Sequence, residues 1–538
     1  MNRESWPGTD AEIEWQFEAQ DLRLVLRWIE SAAGAGADPV TIATGRTTNH
    51  VDTYLDTGDR RLDRAGYSVR LRRSRRSPYE ATLKSIDEAG PDALRVRLEV
   101  TELLERDDPG AVGDAPGLVG ERVRALVGTK RLVPLFDVQT KRRAFAIEVG
   151  GAPSGELLLD ETIIREPDGP ILSRLRRVEV EVPETSLAAV APLVEGLQRA
   201  CGLQPAQVSK YEAALVASGR RRLDAETFGP TAIEPSNTIG QVGLALLRRH
   251  FATMLAKEPG TRVGDDVEEL HDMRVASRRL RAALALFGDF LPADAARLRP
   301  ELAWVGQTIG TVRDLDVQLE QLGEWAAALP ESDREPLEHL RSLLVEERTE
   351  ARTRMLEVLD SPRYDRLVRR FGAMLRSRSG TRTAPALAVA PDLVERRRRA
   401  LRKAWRRIGD DAEPGAYHRL RIAGKRFRYA LEFLSDVYPG ETKRIVTRTV
   451  SLQDLLGAYQ DAYVAIGRLR QLADERGAEL GPATVFAMGE IAERYRSQME
   501  ESRGQVAATY KRLRGGAWKR LRERMEATRP PAPLVPPS

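Results

Sequence analysis

HDMRVASRRLRAALALF, residues 271–287, and HRLRIAGKRFRYALEFL, residues 418–434, decide how the second half of this chain reads. Each places His, Arg, a second cation and Arg at positions i, i+3, i+7 and i+10. The sets are His271, Arg274, Arg278 and Arg281, then His418, Arg421, Lys425 and Arg428. On an α-helix, at roughly 100° per residue, four such side chains fall within an arc of about 80°. Met273, Leu280 and Leu284 lie away from the first arc, and Leu420, Phe427 and Leu431 from the second. Both segments therefore read as helices with one basic and one core face. Arg279 and Arg426 add a cation beside each stripe.

The likeness continues with its register unbroken. Gly310, Asp314, Val317 and Leu322 in WVGQTIGTVRDLDVQLEQL recur as Gly457, Asp461, Val464 and Leu469 in SLQDLLGAYQDAYVAIGRL. One offset of 147 residues aligns every pair, the signature of a duplicated unit. A plainer reading makes the stripes solvated helix faces. Such faces usually mix signs to gain i,i+4 pairs, yet no acid falls on the first arc between 273 and 285. Glu432 does fall on the second. The duplication, with two histidines placed alike, favours binding of a large polyanion.

These segments, with RDLD at 313–316, resemble the CHAD domain, an all-helical, internally duplicated module, over roughly residues 236–525. The resemblance implies binding of inorganic polyphosphate through His271, Arg274, Arg278, Arg279 and Arg281, and through His418, Arg421, Lys425, Arg426 and Arg428. It also implies a preceding CYTH domain, which members of that family often carry.

At 538 residues the chain suits two to four domains. Its 85 Lys+Arg against 80 Asp+Glu leave a net charge of +5, so a polyanion site must come from local clustering. The single cysteine, Cys201, excludes an internal disulfide and fits a reducing compartment. MNRESWPG lacks the layout of a signal peptide, and no run approaches the ~20 apolar residues of a membrane span. Cytoplasm is the expected location, with association to polyphosphate granules following from the expected ligand. Residues 10–216 alternate with a period of two and read mainly as strands. Residues 217–236 read as a linker, and 237–525 as helical, with halves of about 237–376 and 391–525 parted by SRSGTRTAPALAVAP (377–391). The proline-rich 526–538 reads as a disordered tail. The expected fold class is α+β multidomain: an antiparallel β-barrel or tunnel with flanking helices, then an all-α duplicated helical bundle.

The strands of the first half carry charge on their alternate face. Glu12, Glu14 and Gln16 oppose Ile13, Trp15 and Phe17; Arg70 and Arg72 oppose Val69 and Leu71. Arg95, Arg97 and Glu99 oppose Val96, Leu98 and Val100; Arg177, Glu179 and Glu181 oppose Val178, Val180 and Val182. Side chains two apart share a face, so assembly gives one apolar surface and one dense in Arg and Glu. An open sheet with a solvated outer face satisfies this pattern. So does a closed barrel with charges in its lumen and helices such as 187–201 outside. There, arginines would grip phosphate oxygens bidentately and carboxylates would ligate Mg²⁺ or Mn²⁺.

EIEWQF (12–17) resembles the opening ExExK motif of CYTH domains, the triphosphate tunnel metalloenzyme fold. VDTYLDT, GYSVRLRR, YEATLK, RVRLEV, QTKRR, LLLDE, RRVEVEV and SKYE follow in the family's order across residues 11 to about 215. The resemblance implies metal-side carboxylates Glu12, Glu14, Asp160, Glu179 and Glu181. It implies a phosphate path of Arg70, Arg72, Arg97, Lys141, Arg143 and Lys210, with Glu12, Glu14 and Lys84 catalytic and Mg or Mn as cofactor. Gln16 stands where the motif has lysine. A cationic contact worth several kcal/mol is thus missing, which predicts weak or absent hydrolysis with anion binding retained. The favoured reading is an inorganic polyphosphate binder whose tunnel takes triphosphate-type anions. Alternatives are a metal-dependent triphosphatase, a nonspecific nucleic-acid binder using ERRRRALRKAWRR (395–407) and KRLRGGAWKRLRER (511–524), and, below these, an adenylate cyclase. Nucleic acid is the disfavoured partner, because basic runs of that kind are more often solvated helix faces.

Overall fold

The computed structural model describes residues 11–31, 40–43, 45–73, 79–86, 93–220, 225–327, 334–376, 384–409, 412–513 and 515–530. Two compact units result, one of Met1–Leu223 with Ala256–Asp266, the other of Asp224–Leu255 with Val267–Ser538.

Among the described residues the first unit is built on ten strands: β1 Ala11–Glu18, β2 Val40–Ile42, β3 Arg46–Asp56, β4 Tyr67–Arg73, β5 Tyr79–Ser85, β6 Leu94–Leu104, β7 Val133–Val149, β8 Ala152–Arg165, β9 Ile171–Val182 and β10 Gln204–Pro205. Eight of them close in the order β1-β6-β5-β4-β3-β7-β8-β9, every neighbour antiparallel, and β9 returns to β1. The seam is in register from Ile13 opposite Val182 to Glu18 opposite Arg177. Closure removes the sheet edges and separates the two faces into lumen and exterior. This is the tunnel alternative; the open sheet is excluded.

Helices cover much of the exterior. Trp15, Phe17, Phe145, Leu157, Val178 and Val180 pack against α1 (Leu22–Glu30) and α5 (Leu187–Cys201). After the short α2 (Arg61–Arg64), α3 (Pro109–Asp114) and α4 (Leu118–Val127) bury Val69, Leu71, Ala81 and Leu83 of β4 and β5. The cover is incomplete at β6, where Val96 is exposed. A final helix, α6 (Lys210–Ala217), closes one end: Tyr211, Ala214 and Leu215 pack on Tyr54, Phe136 and Val138. Its start is held by a capping box, with Ser209 Oγ accepting from Glu212 N and Glu212 accepting from Ser209 N.

Beyond it run α7 (Ile239–Val263), α8 (Val267–Phe287), α9 (Ala295–Ala327), α10 (Glu335–Asp360), α11 (Pro362–Arg376), α12 (Ala386–Trp405), α13 (Pro414–Phe433), α14 (Glu441–Arg512) and α15 (Gly516–Ala527). Within α14, Gly481 at φ 79° precedes Pro482 and breaks the helix in two, a left-handed conformation that glycine accommodates without strain. One core joins both halves of the second unit, including Met273, Leu280 and Leu284 of α8 and Leu420, Phe427 and Leu431 of α13. Part of the expected linker belongs to that core, since Phe228 is buried and stacks edge-on against Phe251. The break at 377–391 ends in structure too, with Ala386 N donating to Asn237 O and α12 beginning at that residue. The expected tail begins in structure, with Glu526 and Ala527 ending α15 and Arg529 paired with Asp392 at 2.7 Å, and its residues 531–538 lie outside the described residues.

Candidate functional site

Alternation along the barrel strands sends a ring of charges inward. Glu14 and Gln16 of β1, Asp52 of β3, Arg97 of β6, Asp160 of β8 and Glu179 of β9 are all buried. Their contacts form a continuous network. Arg72 grips Asp52 with two hydrogen bonds of 2.7 and 2.9 Å. Arg70 bridges Asp52 at 3.5 Å and Glu99 at 3.0 Å, and Lys84 meets Glu99 at 2.8 Å. Glu14 accepts from Arg97 and, at 2.9 Å, from Gln16 Nε2, which also reaches Glu179 at 3.2 Å. Arg142 joins Asp160 at 2.7 Å, Glu179 at 2.9 Å and Glu181 at 3.9 Å. Lys210 enters from the first turn of α6 onto Asp160 and, at 3.0 Å, onto Glu179. Two further buried arginines position that helix: Arg95 donates to Ala206 O and Arg177 to Val208 O, each at 3.0 Å.

The network holds Glu179 and Asp52 ionised. Burial alone would raise Glu179, but Lys210 and Arg142 outweigh it and keep it well below the usual carboxylate range. Asp52 is likewise held low, with Arg70 and Arg72 overcoming burial. His50 goes the other way: burial pushes it down to about 4, which Asp52 only partly opposes. Oxygens of Glu14, Glu179 and Glu181 lie within 4.8 Å of one another. Three hard oxygen donors at that spacing fit Mg²⁺ or Mn²⁺, so the residues pass the chemical test for a divalent ion.

Among the expected site residues, Glu14, Arg70, Arg72, Lys84, Arg97, Glu179, Glu181 and Lys210 line one cavity of about 70 Å³. Asp160 shares Arg142 and Lys210 with Glu179 and is not among the three glutamates whose oxygens lie within 4.8 Å of one another. Glu12 has its backbone in β1, opposite Arg97, and its side chain lies outside the described residues. Lys141 and Arg143 require correction. They occupy the outward face of β7, where Lys141 is exposed beside Glu161 and the Arg143 guanidinium lies over the Phe145 ring. Arg142 takes the inward position instead. The parity was legible: Phe145 and Ile147, which face the covering helices, are odd-numbered like 141 and 143. Asp52 and Glu99 were also missed: Glu99 shares a face of β6 with Arg97, whereas Asp52 meets Arg72 only across the pairing of β3 with β4.

In the second unit the basic stripes of α8 and α13 face a shared neighbourhood. Arg274 pairs with Asp314 at 3.3 Å and Arg421 with Asp461 at 3.7 Å, the same contact made twice at the 147-residue offset. Burial raises Asp314 despite Arg274, and Asp461 adds to the rise, so the two acids lie close together. Lys425 is lowered to about 7, first by burial and then by Arg421, Arg278 and Arg274. Four stripe cations, two from each half, thus act on one another. His418 Nδ1 is 2.9 Å from Gln460 Oε1, whereas the counterpart of Gln460 in the first half is Arg313. His271 stands half-buried one turn before Arg274. Arg279 and Arg428 both meet Glu432, at 3.3 and 3.4 Å, while Arg281 and Arg426 are exposed. The second acid of RDLD, Asp316, is buried against Arg348 and serves the fold.

A closed antiparallel tunnel with a charged lumen, followed in the chain by a duplicated helical unit, defines the class of protein. Residues 29–213 match the CYTH domain family and residues 245–470 the CHAD domain family, so the chain carries a CYTH domain followed by a CHAD domain. No curated protein matches it. Among solved structures, the CHAD domain from the plant Ricinus communis is 27% identical, covers 58% of this chain and 98% of its own, with a TM-score of 0.41. PptA from Streptomyces chartreusis is 24% identical over 51% of this chain and 99% of its own, with a TM-score of 0.43. A candidate adenylyl cyclase from Hippeastrum described as having a dominant triphosphatase activity is 19% identical over 39% of this chain and 97% of its own, with a TM-score of 0.31. No helix among the described residues is long and apolar enough to cross a membrane.

Proposed function

We propose that the helical unit binds inorganic polyphosphate on Arg274, Arg278, Arg421 and Lys425, and that the tunnel takes a triphosphate-type anion together with a divalent metal. The observation that carries the first part is the convergence of two duplicated stripes, which leaves Lys425 depressed by burial and then by three arginines. Four mutually repelling cations at one place are relieved by a ligand that brings about one negative charge per phosphate and presents no bases to read. The long basic runs favoured for nucleic acid support that partner less. Arg398 and Arg399 pair with Glu395, Lys519 with Glu523 and Arg522 with Glu526, as on ordinary solvated helices.

The tunnel reading rests on the balance of its lumen. Arg70, Arg72, Lys84, Arg97, Arg142 and Lys210 are each already paired with a carboxylate, so an anion alone would have to displace those partners. A divalent ion, when bound, would take up oxygens of Glu14, Glu179 and Glu181 and act as a Lewis acid toward phosphoryl oxygen. Arg97, Arg142 and Lys210 then turn from carboxylates toward phosphate oxygens. Gln16 supplies an uncharged donor between Glu14 and Glu179, so this lumen binds better than it turns over. Metal-dependent triphosphatase activity is the second reading, favoured by the three-glutamate cluster.

Neutralising Arg274 with Arg278, or Arg421 with Lys425, tests the first part in the full chain. Each pair should weaken polyphosphate binding at least tenfold, since a charge-assisted contact contributes about 1.5–3 kcal/mol when shielded from water. The dependence of affinity on salt should flatten as phosphate contacts are lost. Competition by duplex DNA at physiological salt should fail. Wild-type affinity and salt slope in both variants would reduce the stripes to solvated faces.

A further inference from the structure

The duplication is broken in one direction. α7 and α12 begin 147 residues apart, at Ile239 and Ala386, so the offset relates the surroundings of the two stripes as well as the stripes. Around the central cations lie two ends that this offset exchanges. Arg281 and Arg426 mark one end; their counterparts, Arg428 and Arg279, mark the other.

At the Arg428 end the charges are paired. Glu432 lies 3.4 Å from Arg428 and 3.3 Å from Arg279, and Arg249 pairs with Asp436 at 3.0 Å. His250 is lowered to about 4 by burial, Arg279 and Arg249, and carries no charge near neutrality. At the Arg281 end the counterpart of Glu432 is Ala285, whose carbonyl accepts from Arg397 Nη2 at 3.1 Å. Arg397 replaces His250, and Arg299 replaces Val446. Burial and then Arg299 depress Arg281; burial, Arg426, Arg396 and Arg299 depress Arg397. Among the described residues, Arg281, Arg299, Arg396 and Arg426 form no ion pair, and neither does Asp289, the counterpart of Asp436. Three exchanges between the halves (Glu for Ala, neutral His for Arg, Val for Arg) all move charge the same way.

We propose that a linear polyphosphate held on the central cations leaves them in one direction only, over Arg281, Arg426, Arg397 and Arg299, and that Glu432 closes the opposite end. The inference rests on the polyphosphate reading of the central cluster. A chain running toward Glu432 meets a carboxylate and cations that are already paired with acids. A chain running the other way meets unpaired guanidinium groups. A duplicated domain thereby gives a ligand with equivalent ends a single exit.

Binding of long-chain polyphosphate and of tripolyphosphate to the full chain separates the possibilities. Ala285→Glu and Arg397→Ala should each weaken long-chain binding by about three- to fivefold, the range of a partly exposed ion pair. Glu432→Gln should strengthen it by a similar factor and steepen its salt dependence. Ala285→Gln, which adds bulk without charge, should stay near wild type, and helical circular dichroism confirms folding of each variant. Tripolyphosphate, with three phosphates for four central cations, should respond little to any of these changes. If Arg274→Ala with Arg278→Ala leaves long-chain binding intact, the central site itself fails. If that pair abolishes binding while Ala285→Glu and Glu432→Gln leave it unchanged, the site stands and the single exit is overturned.

Discussion

Gln16→Lys is the most informative single change in the tunnel. Gln16 Nε2 lies 2.9 Å from Glu14 and 3.2 Å from Glu179, two of the three carboxylates suited to a divalent ion. An ammonium in its place attracts each carboxylate by about 5 kcal/mol gross at an effective dielectric near 20. Desolvation of the ion takes most of that back, leaving a net gain of about 1.5–3 kcal/mol, typical of hydrogen bonds to charged groups. The lysine therefore competes for the oxygens a metal needs. Mn²⁺ titrated calorimetrically into the variant alone should bind about ten- to a hundredfold more weakly than to wild type. With triphosphate present the ammonium has phosphate oxygens to turn to, so triphosphate affinity at saturating Mn²⁺ should rise, and any phosphate release with it. Unchanged Mn²⁺ affinity would refute the reasoning, because the amide would then not be engaged by the metal-side carboxylates. Fast hydrolysis by the wild type would instead place the triphosphatase reading first.

Arg142→Met leaves Asp160, which has no solvent exposure, facing Lys210 alone; it should destabilise the barrel by about 3–5 kcal/mol, read as lost hydrogen-exchange protection in β8 and β9, whereas Lys141→Met should change little. The acid side follows from Glu179: with its folded pKa depressed, its stabilisation is full above the ordinary carboxylate range and is lost as pH falls through the lower folded value. Arg142→Met should shift that loss to higher pH in an acid unfolding titration. Lys425, lowered to about 7, gains charge as pH falls from 8 to 6, so polyphosphate binding should tighten over that window, and Lys425→Arg should flatten the change measured by equilibrium binding.

Period-two charge on the first strands made the barrel legible, because a face carrying Glu14 with Gln16, or Glu179 with Glu181, needs a polar interior opposite an apolar exterior. The inward parity of β7 was harder. QTKRRAF presents three consecutive cations, and only counting back from Phe145 and Ile147 selects Arg142. Pairing was not legible at all: that Arg72 takes Asp52, or that Gln16 spans two carboxylates, depends on which strands become neighbours, and sequence order does not state it. In the helical unit the duplication exposed both stripes. Which cations are spent on Glu432 and which stay free appears only when α8, α12 and α13 are assembled.

Barrel closure has a consequence for how the chain is made. β1 completes the cylinder only when β9 pairs with it, from Ile13 against Val182 to Glu18 against Arg177. Every residue of the intervening strands must therefore leave the ribosome before the seam can form, a pairing of very high sequence separation and correspondingly slow formation. Until then Trp15 and Phe17 belong to an unprotected strand edge, and Glu14 and Gln16 remain hydrated rather than enclosed. A nascent chain stalled short of residue 171 would present that edge to other chains, which makes the seam a step exposed to misassembly.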